Sequence, residues 1–373
     1  MNRTDGKQLK YYQITEDLKE QILSGEIPPG GKLPSENELS ARYQVSRQTV
    51  RKALAILESS GYVYAEHGRG TFCSELMRHT RNSKNIAVVT TYLSDYIFPR
   101  VIEGIDTVLN SEGYSIILKN TRNSRSIEAK VLEELLQKDI DGMIIEPSKS
   151  QIFCRHMNLY QKLEQYQIPY VFIQGCFSQM RDRPQVLMDD AKGGYMITKY
   201  LTGLGHKNII GVFKADDTQG QNRHKGYVHA LQDAGLSYNP DHVIWFYTED
   251  RTIHPGECIR QMVRQKQPID AVVCYNDQIA GQVIRVLQEE GKRIPEDVSV
   301  TGYDNSQLVD GGLMLTTIQH PQEKLGEMAA QLLLELIRSE GDYNGERRIM
   351  VEPELIIGNS CREKKKAVRK HGK

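Results

Sequence analysis

At 373 residues the chain exceeds one ordinary core, so two or three domains are expected. Charged residues make up 26% of it, and no apolar run is long enough to span a bilayer, which argues against membrane-embedded and low-complexity classes. Lys and Arg (48) balance Asp and Glu (48), so any affinity for nucleic acid has to come from a local patch. The N-terminus has no apolar stretch after its first charges, and no secretory signal or membrane anchor is expected. Cys73, Cys154, Cys176, Cys258, Cys274 and Cys361 are scattered without a CxxC pair. That spacing speaks against a metal site or a disulfide framework and for a reducing cytoplasm.

Ile14, Leu18 and Ile22 recur at helical spacing and predict a helix over residues 12–23. The Gly- and Pro-rich run at 24–31 stops it. Ser35, with Glu38 three residues on, predicts a capping box that opens a short helix ending near Tyr43. Ser46 is placed to cap another helix, from Arg47 to about Ser59, with Val50, Leu54 and Leu57 as its buried stripe. Strands are predicted at 62–65 and 71–73, with 66–70 between them as a wing tip. The second helix of a helix-turn-helix enters the major groove and reads bases with its first residues, here Arg47, Gln48, Thr49 and Arg51. Arg pairs bidentately with guanine and Gln with adenine. Residues 42–52 hold Arg42, Arg47, Arg51 and Lys52 and no acid, which supplies the local patch. Gly68 and Gly70 let the wing backbone come close to a phosphate.

The run LPSENELSARYQVSRQTVRKALAILESSGYV, followed by GRGTF, resembles the DNA-binding domain of the GntR family of bacterial regulators over residues 10–73. The resemblance implies DNA contacts from Lys10, Glu36, Arg47, Gln48, Thr49, Arg51, His67, Gly68 and Gly70. Many members carry Arg where this chain has Asn37. Glu36 is acidic and needs a base donor such as cytosine N4; its plainer reading is a charge complementing the helix dipole.

Residues 74–84 are polar, lack periodicity and read as a linker. Strands then alternate with helices: strands at 86–89, 114–118, 142–145, 170–173, 208–213, 270–274 and 298–303, with helices at 99–112 and 126–138 among them. Apolar strands separated by helices predict a doubly wound parallel α/β sheet, and the length of the stretch predicts two lobes. Ligands of such sheets lie beyond the carboxyl ends of strands. Those ends carry Ser94, Asp95, Tyr96 and Phe98, then Glu146, Gln174, Asp189 and Asp190, Asn276 and Asp277, and Tyr303 and Asp304. Arg223 is placed in a loop before a helix starting near Gly226. Carboxylates, amides, an arginine and aromatic faces suit a neutral polyol, whereas each acid alone reads as a cap on the helix that follows its strand.

The segments GHKNIIGVFKADDTQGQNRHKGY, VVCYNDQIAGQVI, IPEDVSVTGYDNS and LTTIQHPQEKLGEMAAQLL resemble the effector domain of the LacI/GalR family, which shares its fold with periplasmic sugar-binding proteins. The resemblance implies effector contacts from Tyr96, Arg223, Asp277 and His320, to which the strand-end residue Glu146 is added. Most relatives have Gln at the position of His320. The expected architecture is a winged helix-turn-helix at 1–73, the linker at 74–84, a two-lobed periplasmic-binding-protein-like α/β domain at 85–361 and a disordered basic tail at 362–373. The combined resemblance implies a homodimeric repressor that binds palindromic double-stranded DNA and is released by a sugar, with L-arabinose expected. Another sugar, a nucleobase, or the opposite sign of the effect stay open. No cofactor is implied, and no enzyme is expected, because there is no nucleophile elbow, Walker loop, zinc spacing or GxGxxG after the first strand. His206, His224 and His254 lack a neighbouring Ser or Cys in a recognisable arrangement. An exported transport protein is disfavoured by the DNA-reading head and the missing signal.

Overall fold

A computed structural model describes residues 10–23, 25–59, 61–66, 68–74, 83–93, 97–306, 312–339 and 344–364. The head contains helices α1 (Lys10–Leu23), α2 (Glu36–Tyr43) and α3 (Arg47–Ser59), then strands β1 (Val63–Glu66) and β2 (Gly70–Cys73). Its core is the predicted stripe set: Ile14, Leu18 and Ile22 of α1 meet Leu39 of α2 and Val50, Leu54 and Leu57 of α3. The capping box forms at both ends, with Glu38 N–H on Ser35 Oγ and Ser35 N–H on the Glu38 carboxylate. Gln44 ends α2 in the left-handed region, turning the chain toward α3. β1 and β2 pair antiparallel, Val63 opposite Cys73, to make the wing.

The N-lobe follows: β3 (Asn85–Thr90), α4 (Phe98–Ser111), β4 (Ser115–Asn120), α5 (Arg125–Leu135), β5 (Gly142–Ile145), α6 (Met157–Gln165), β6 (Tyr170–Ile173) and β7 (Gln185–Met188). The C-lobe comprises α7 (Asp190–Gly203), β8 (Ile209–Lys214), α8 (Thr218–Asp233), β9 (Val243–Phe246), α9 (His254–Arg264), β10 (Ala271–Cys274), α10 (Asp277–Glu289) and β11 (Ser299–Thr301). The chain then passes through β12 (Thr317–Gln319), returns to the N-lobe for α11 (Gln322–Arg338) and β13 (Arg348–Val351), and closes on β14 (Glu354–Ile356). The N-lobe sheet has the order β13-β7-β6-β5-β3-β4 and the C-lobe sheet β11-β10-β8-β9, all parallel. β12 and β14 pair antiparallel at the junction. Three segments therefore join the lobes: 188–190, 319–322 and 351–354. β5, β6 and β10 are buried at every position, which is why they read as unbroken apolar runs.

Three expectations change. Arg223 lies inside α8, not in a loop before it, because Asp217 accepts the Gly220 N–H and starts the helix nine residues ahead of Gly226. Ser83 and Lys84, at the end of the expected linker, are fastened to the sensor through the Asp141 carboxylate. The basic tail is not wholly free: Arg362 N–H donates to Ser299 Oγ at 3.2 Å, and Lys364 N–H to the Leu204 carbonyl at 2.9 Å. Residues 365–373 lie outside the described residues.

Helices α7 and α8 cross backbone to backbone. A Cβ on Gly226 would fall 2.0 Å from the Ala191 carbonyl oxygen, and one on Gly194 2.2 Å from that of Arg223. Neither contact can be relieved by turning a side chain. Gly226→Ala is therefore expected to destabilise the C-lobe by about 1–3 kcal/mol through overpacking, read as a lower urea midpoint. An unchanged midpoint would mean that the crossing tolerates a shift.

Candidate functional site

Two surfaces collect the predicted residues. On the head, Ser46 Oγ accepts the Thr49 N–H at 3.3 Å and lies 2.9 Å from the Thr49 hydroxyl, which fixes the first turn of α3. Arg47, Gln48 and Arg51 are exposed, and Thr49 is half-buried. Lys10 is exposed at the start of α1, and Asn37 is exposed on α2. Lys52 stands 3.9 Å above the Tyr11 ring and ties α3 to α1. Glu36 and Arg51, both expected at DNA, hold each other: Arg51 Nε donates to the two Glu36 oxygens at 2.9 and 3.0 Å. Their side chains are 36% and 69% exposed, so solvent screens the pair and it exchanges readily for another acceptor. Gly68 (φ +77°) and Gly70 (φ +122°) adopt backbone that a side chain would strain, which gives the wing its sharp tip. His67 lies outside the described residues.

The second surface is a cavity between the lobes. Thr91, Tyr92, Phe98, Glu146 and Gln174 line it from the N-lobe; Lys214, Asp217, Arg223, Arg251 and Tyr275 from the C-lobe; Asp304 and His320 from the segments that connect them. Glu146 follows β5, and its Oε2 accepts the Thr91 N–H at 2.8 Å and hydroxyl at 2.7 Å. Burial nonetheless pushes its carboxyl up to about 7. Arg223 is 5% exposed, with its guanidinium 3.5 Å from the Tyr303 ring centroid and 4.7 Å from that of Tyr275. Its Nε donates to Asp190 Oδ1 at 2.8 Å and its Nη1 to the Tyr275 carbonyl at 2.6 Å. Burial raises Asp190 to about 6, and Arg223 opposes this and holds it ionised at neutral pH. Lys214, the last residue of β8, is buried. Burial pulls its ammonium down, but Asp217 at 3.0 Å and Asp216 at 3.7 Å outweigh this and the net direction is up. Tyr275 donates its hydroxyl to the same Asp217.

His320 is 2% exposed, and its Nε2 lies 2.9 Å from Gln174 Oε1. A carboxamide oxygen only accepts, so Nε2 carries the hydrogen and Nδ1 is an acceptor. Burial depresses the ring to about 4 and keeps it neutral. Among the described residues nothing bonds His320 Nδ1, Gln174 Nε2 or the Tyr92 hydroxyl, although all three are buried. Together they leave an acceptor, a donor and a group that is either, all in residues that line the cavity.

Of the residues expected at the effector, Glu146, Arg223 and His320 line this cavity. Asp277 does not. Its Oδ1 accepts the Thr317 hydroxyl at 2.8 Å and its Oδ2 the Ser306 N–H at 2.7 Å, so it ties α10 to the segment leaving the C-lobe. Burial, then Asp304, raises it to about 7. Tyr96, with Ser94 and Asp95, lies outside the described residues. Asp189 caps α7, as the plainer reading of the strand-end acids has it, and Asn276 both caps α10 and lines the cavity. Sequence reasoning passed over Tyr92, Lys214, Asp217, Arg251 and Tyr275. Lys214 and Asp217 carry the same signal as the other strand-end residues, because they end β8 and cap α8.

Residues 10–73 match the model of the bacterial regulatory proteins of the gntR family, and residues 198–361 match the periplasmic binding protein-like domain. The chain is 41% identical over 367 residues to an arabinose metabolism transcriptional repressor of Halalkalibacterium halodurans, spanning 95% of this chain and 97% of that one. It is 36% identical over 360 residues to a repressor of the same name from Geobacillus stearothermophilus, spanning 95% and 98%. Among solved structures, a complex of the transcriptional regulator CelR with cellobiose has the same fold, with a TM-score of 0.66 at 22% identity over 88% of this chain and all of that one. Among the described residues, no helix is long and apolar enough to cross a membrane.

Removing Asp190 takes the nearest carboxylate from the buried Arg223, leaving Asp304 at 3.8 Å as its remaining one. Asp190→Asn is expected to cost about 3–5 kcal/mol in urea unfolding of the sensor. A loss near zero would show the pair to be solvated in solution.

Proposed function

The chain belongs to the family of arabinose metabolism transcriptional repressors, and we propose that it is a homodimer whose winged heads hold a palindromic operator until L-arabinose binds between the lobes and releases it. It is a DNA-binding transcriptional regulator with a GntR-type head and a periplasmic-binding-protein-like sensor. The observation that carries the effector reading is the set of buried, unbonded polar atoms at Tyr92, Gln174 and His320, beside the aromatic faces of Tyr92 and Phe98. A neutral polyol supplies donors and acceptors to all three, and its C–H face packs on the rings. Ring charge also fits: a neutral His320 and ion pairs that balance locally ask for no net charge on the ligand. The protein works in the cytoplasm and performs no chemistry on the sugar.

Binding at the cleft moves the equilibrium only by the difference in sugar affinity between the DNA-bound and released forms, typically about 1–3 kcal/mol. A gel shift on DNA from upstream of the gene, with and without L-arabinose, tests the whole reading. Loss of the band with arabinose but not with galactose or ribose supports it. A band that only another sugar or a nucleobase moves keeps the repressor and replaces the effector, and a band strengthened by arabinose reverses the sign.

Two further outcomes follow from the geometry. Arg51→Ala is expected to weaken operator binding roughly 5- to 150-fold, the size of a lost base contact, with sugar affinity unchanged. Equal loss of both would undo the division between head and sensor. Glu146 accepts two Thr91 donors, and a sugar hydroxyl on its remaining lone pairs also favours the carboxylate. With its carboxyl at about 7, it is largely neutral at pH 6 and largely ionised at pH 8. Arabinose affinity is therefore expected to rise with pH by up to about tenfold between pH 6 and 8 in calorimetric titrations, and Glu146→Gln to flatten that rise.

A further inference from the structure

Beside the cavity, four residues form a closed ring of three hydrogen bonds and one ion pair that crosses from one lobe to the other. The Lys149 backbone N–H donates to Asn123 Oδ1 at 2.7 Å, and Asn123 Nδ2 donates to Thr248 Oγ1 at 2.7 Å. The Thr248 hydroxyl donates to Asp216 Oδ2 at 2.8 Å, and Lys149 Nζ stands 3.5 Å from the same oxygen. Asn123 and Lys149 belong to the N-lobe, Asp216 and Thr248 to the C-lobe, so two of the four links span the cleft. Lys149 Nζ also reaches Glu249. Two backbone amides cross beside the ring: Thr218 N–H donates to Ser150 Oγ at 2.9 Å, and Gln151 N–H to the Asp216 carbonyl at 3.3 Å.

Lys149 and Asn123 both sit at positive φ, +50° and +53°. Asn adopts this backbone with little cost, whereas a lysine has no local reason to be there and its conformation is held by the contacts it makes. Its side chain is 16% exposed and that of Asp216 is fully buried, so solvent screens the Lys149–Asp216 pair far less than a surface one. Lys149, Asp216 and Thr248 do not line the cavity, while Lys214 and Asp217, on either side of Asp216, do. Asn123 does line it, so the ring reaches the ligand site through that one residue while Lys149 stays outside.

We propose that Lys149 is a positioning residue: it latches the two lobes together through Asp216 and Thr248, and so sets how much effector is needed for release without touching the effector. The proposal rests on the reading that lobe closure is what frees the DNA. Without the Lys149 ammonium, Asp216 keeps Lys214 and the Thr248 donors of its own lobe but loses its charged partner on the N-lobe, so the closed arrangement loses stabilisation that the open one never had. Apparent effector affinity falls in proportion to the closed fraction.

The test uses the full chain and the variants Lys149→Ala and Lys149→Arg. Amide hydrogen exchange of the ligand-free protein, read at Gln151 and Thr218, reports closure whatever the effector is. In Lys149→Ala those two amides are expected to exchange about five- to tenfold faster, with the β5 and β10 amides unchanged and Lys149→Arg restoring the wild-type rates. L-arabinose is expected to dissociate from Lys149→Ala about five- to tenfold faster with little change in association rate. Unchanged exchange at Gln151 and Thr218 overturns the proposal. So does a uniform acceleration that includes β5 and β10, which would make Lys149 a fold-stability residue. If the two amides respond but wild-type protein binds no arabinose, the latch stands and the effector assignment falls.

Discussion

A guanidinium buried between two tyrosine rings organises the C-lobe side of the cleft. Arg223 cannot shed its charge, so every neighbour must compensate for its loss of water. Asp190, at the first turn of α7, supplies the opposite charge, and the Tyr275 carbonyl takes a second N–H. That pairing draws α7 against α8 until their backbones touch at Gly194 and Gly226, where no Cβ fits. Tyr303 lies under the guanidinium, and a Cβ on Gly193 would fall 2.2 Å from its hydroxyl, so the start of α7, the middle of α8 and the end of β11 are mutually fixed. The segment that follows Tyr303 carries Asp304 into the cavity and leads on to His320. One charge thus sets the position of residues from four parts of the chain.

The same arrangement explains why the cavity belongs to both lobes equally. Tyr92, Glu146 and Gln174 of the N-lobe line a cavity that Lys214, Asp217 and Arg223 complete from the C-lobe. A ligand that bonds both sets favours the closed form by the sum of those bonds, whereas an open cleft leaves it half-solvated. The joining segments at 188–190, 319–322 and 351–354 allow such a movement while each parallel sheet stays intact. The Asp277 carboxylate holds Ser306 and, at the start of β12, Thr317, which gives a buried acid a structural task in place of a ligand contact.

Much of this was legible from residue order alone. The head announces itself because its stripes, its Ser35–Glu38 box and its Gly-flanked wing are all local signals, each with a fixed spacing. The buried strands β5, β6 and β10 are readable as apolar runs bounded by polar turns. The start of α8 was hidden because its first turns, Thr218 to Lys225, carry almost no apolar residue. Its cap is Asp217, the second of two adjacent acids after β8. The strands β7, β12, β13 and β14 are harder to read because each mixes polar residues into a run of three or four, and β9 stands at the edge of its sheet. The ring around Lys149 joins residues 123, 149, 216 and 248, and no local spacing encodes a contact between four such distant points.

Two arginine–carboxylate pairs of nearly equal length serve opposite ends in this molecule. Arg51 and Glu36 meet at 2.9 Å on an open helix face, Arg223 and Asp190 at 2.8 Å in the interior. Distance does not separate them; dielectric does. On the surface water already satisfies both ions, so their attraction is small and the partners can be exchanged for a guanine edge or a cytosine amine at little cost. Inside the C-lobe no water competes, and breaking the pair strands a charge. The first pair is therefore easily broken and remade, and the second holds the shape of the cavity wall.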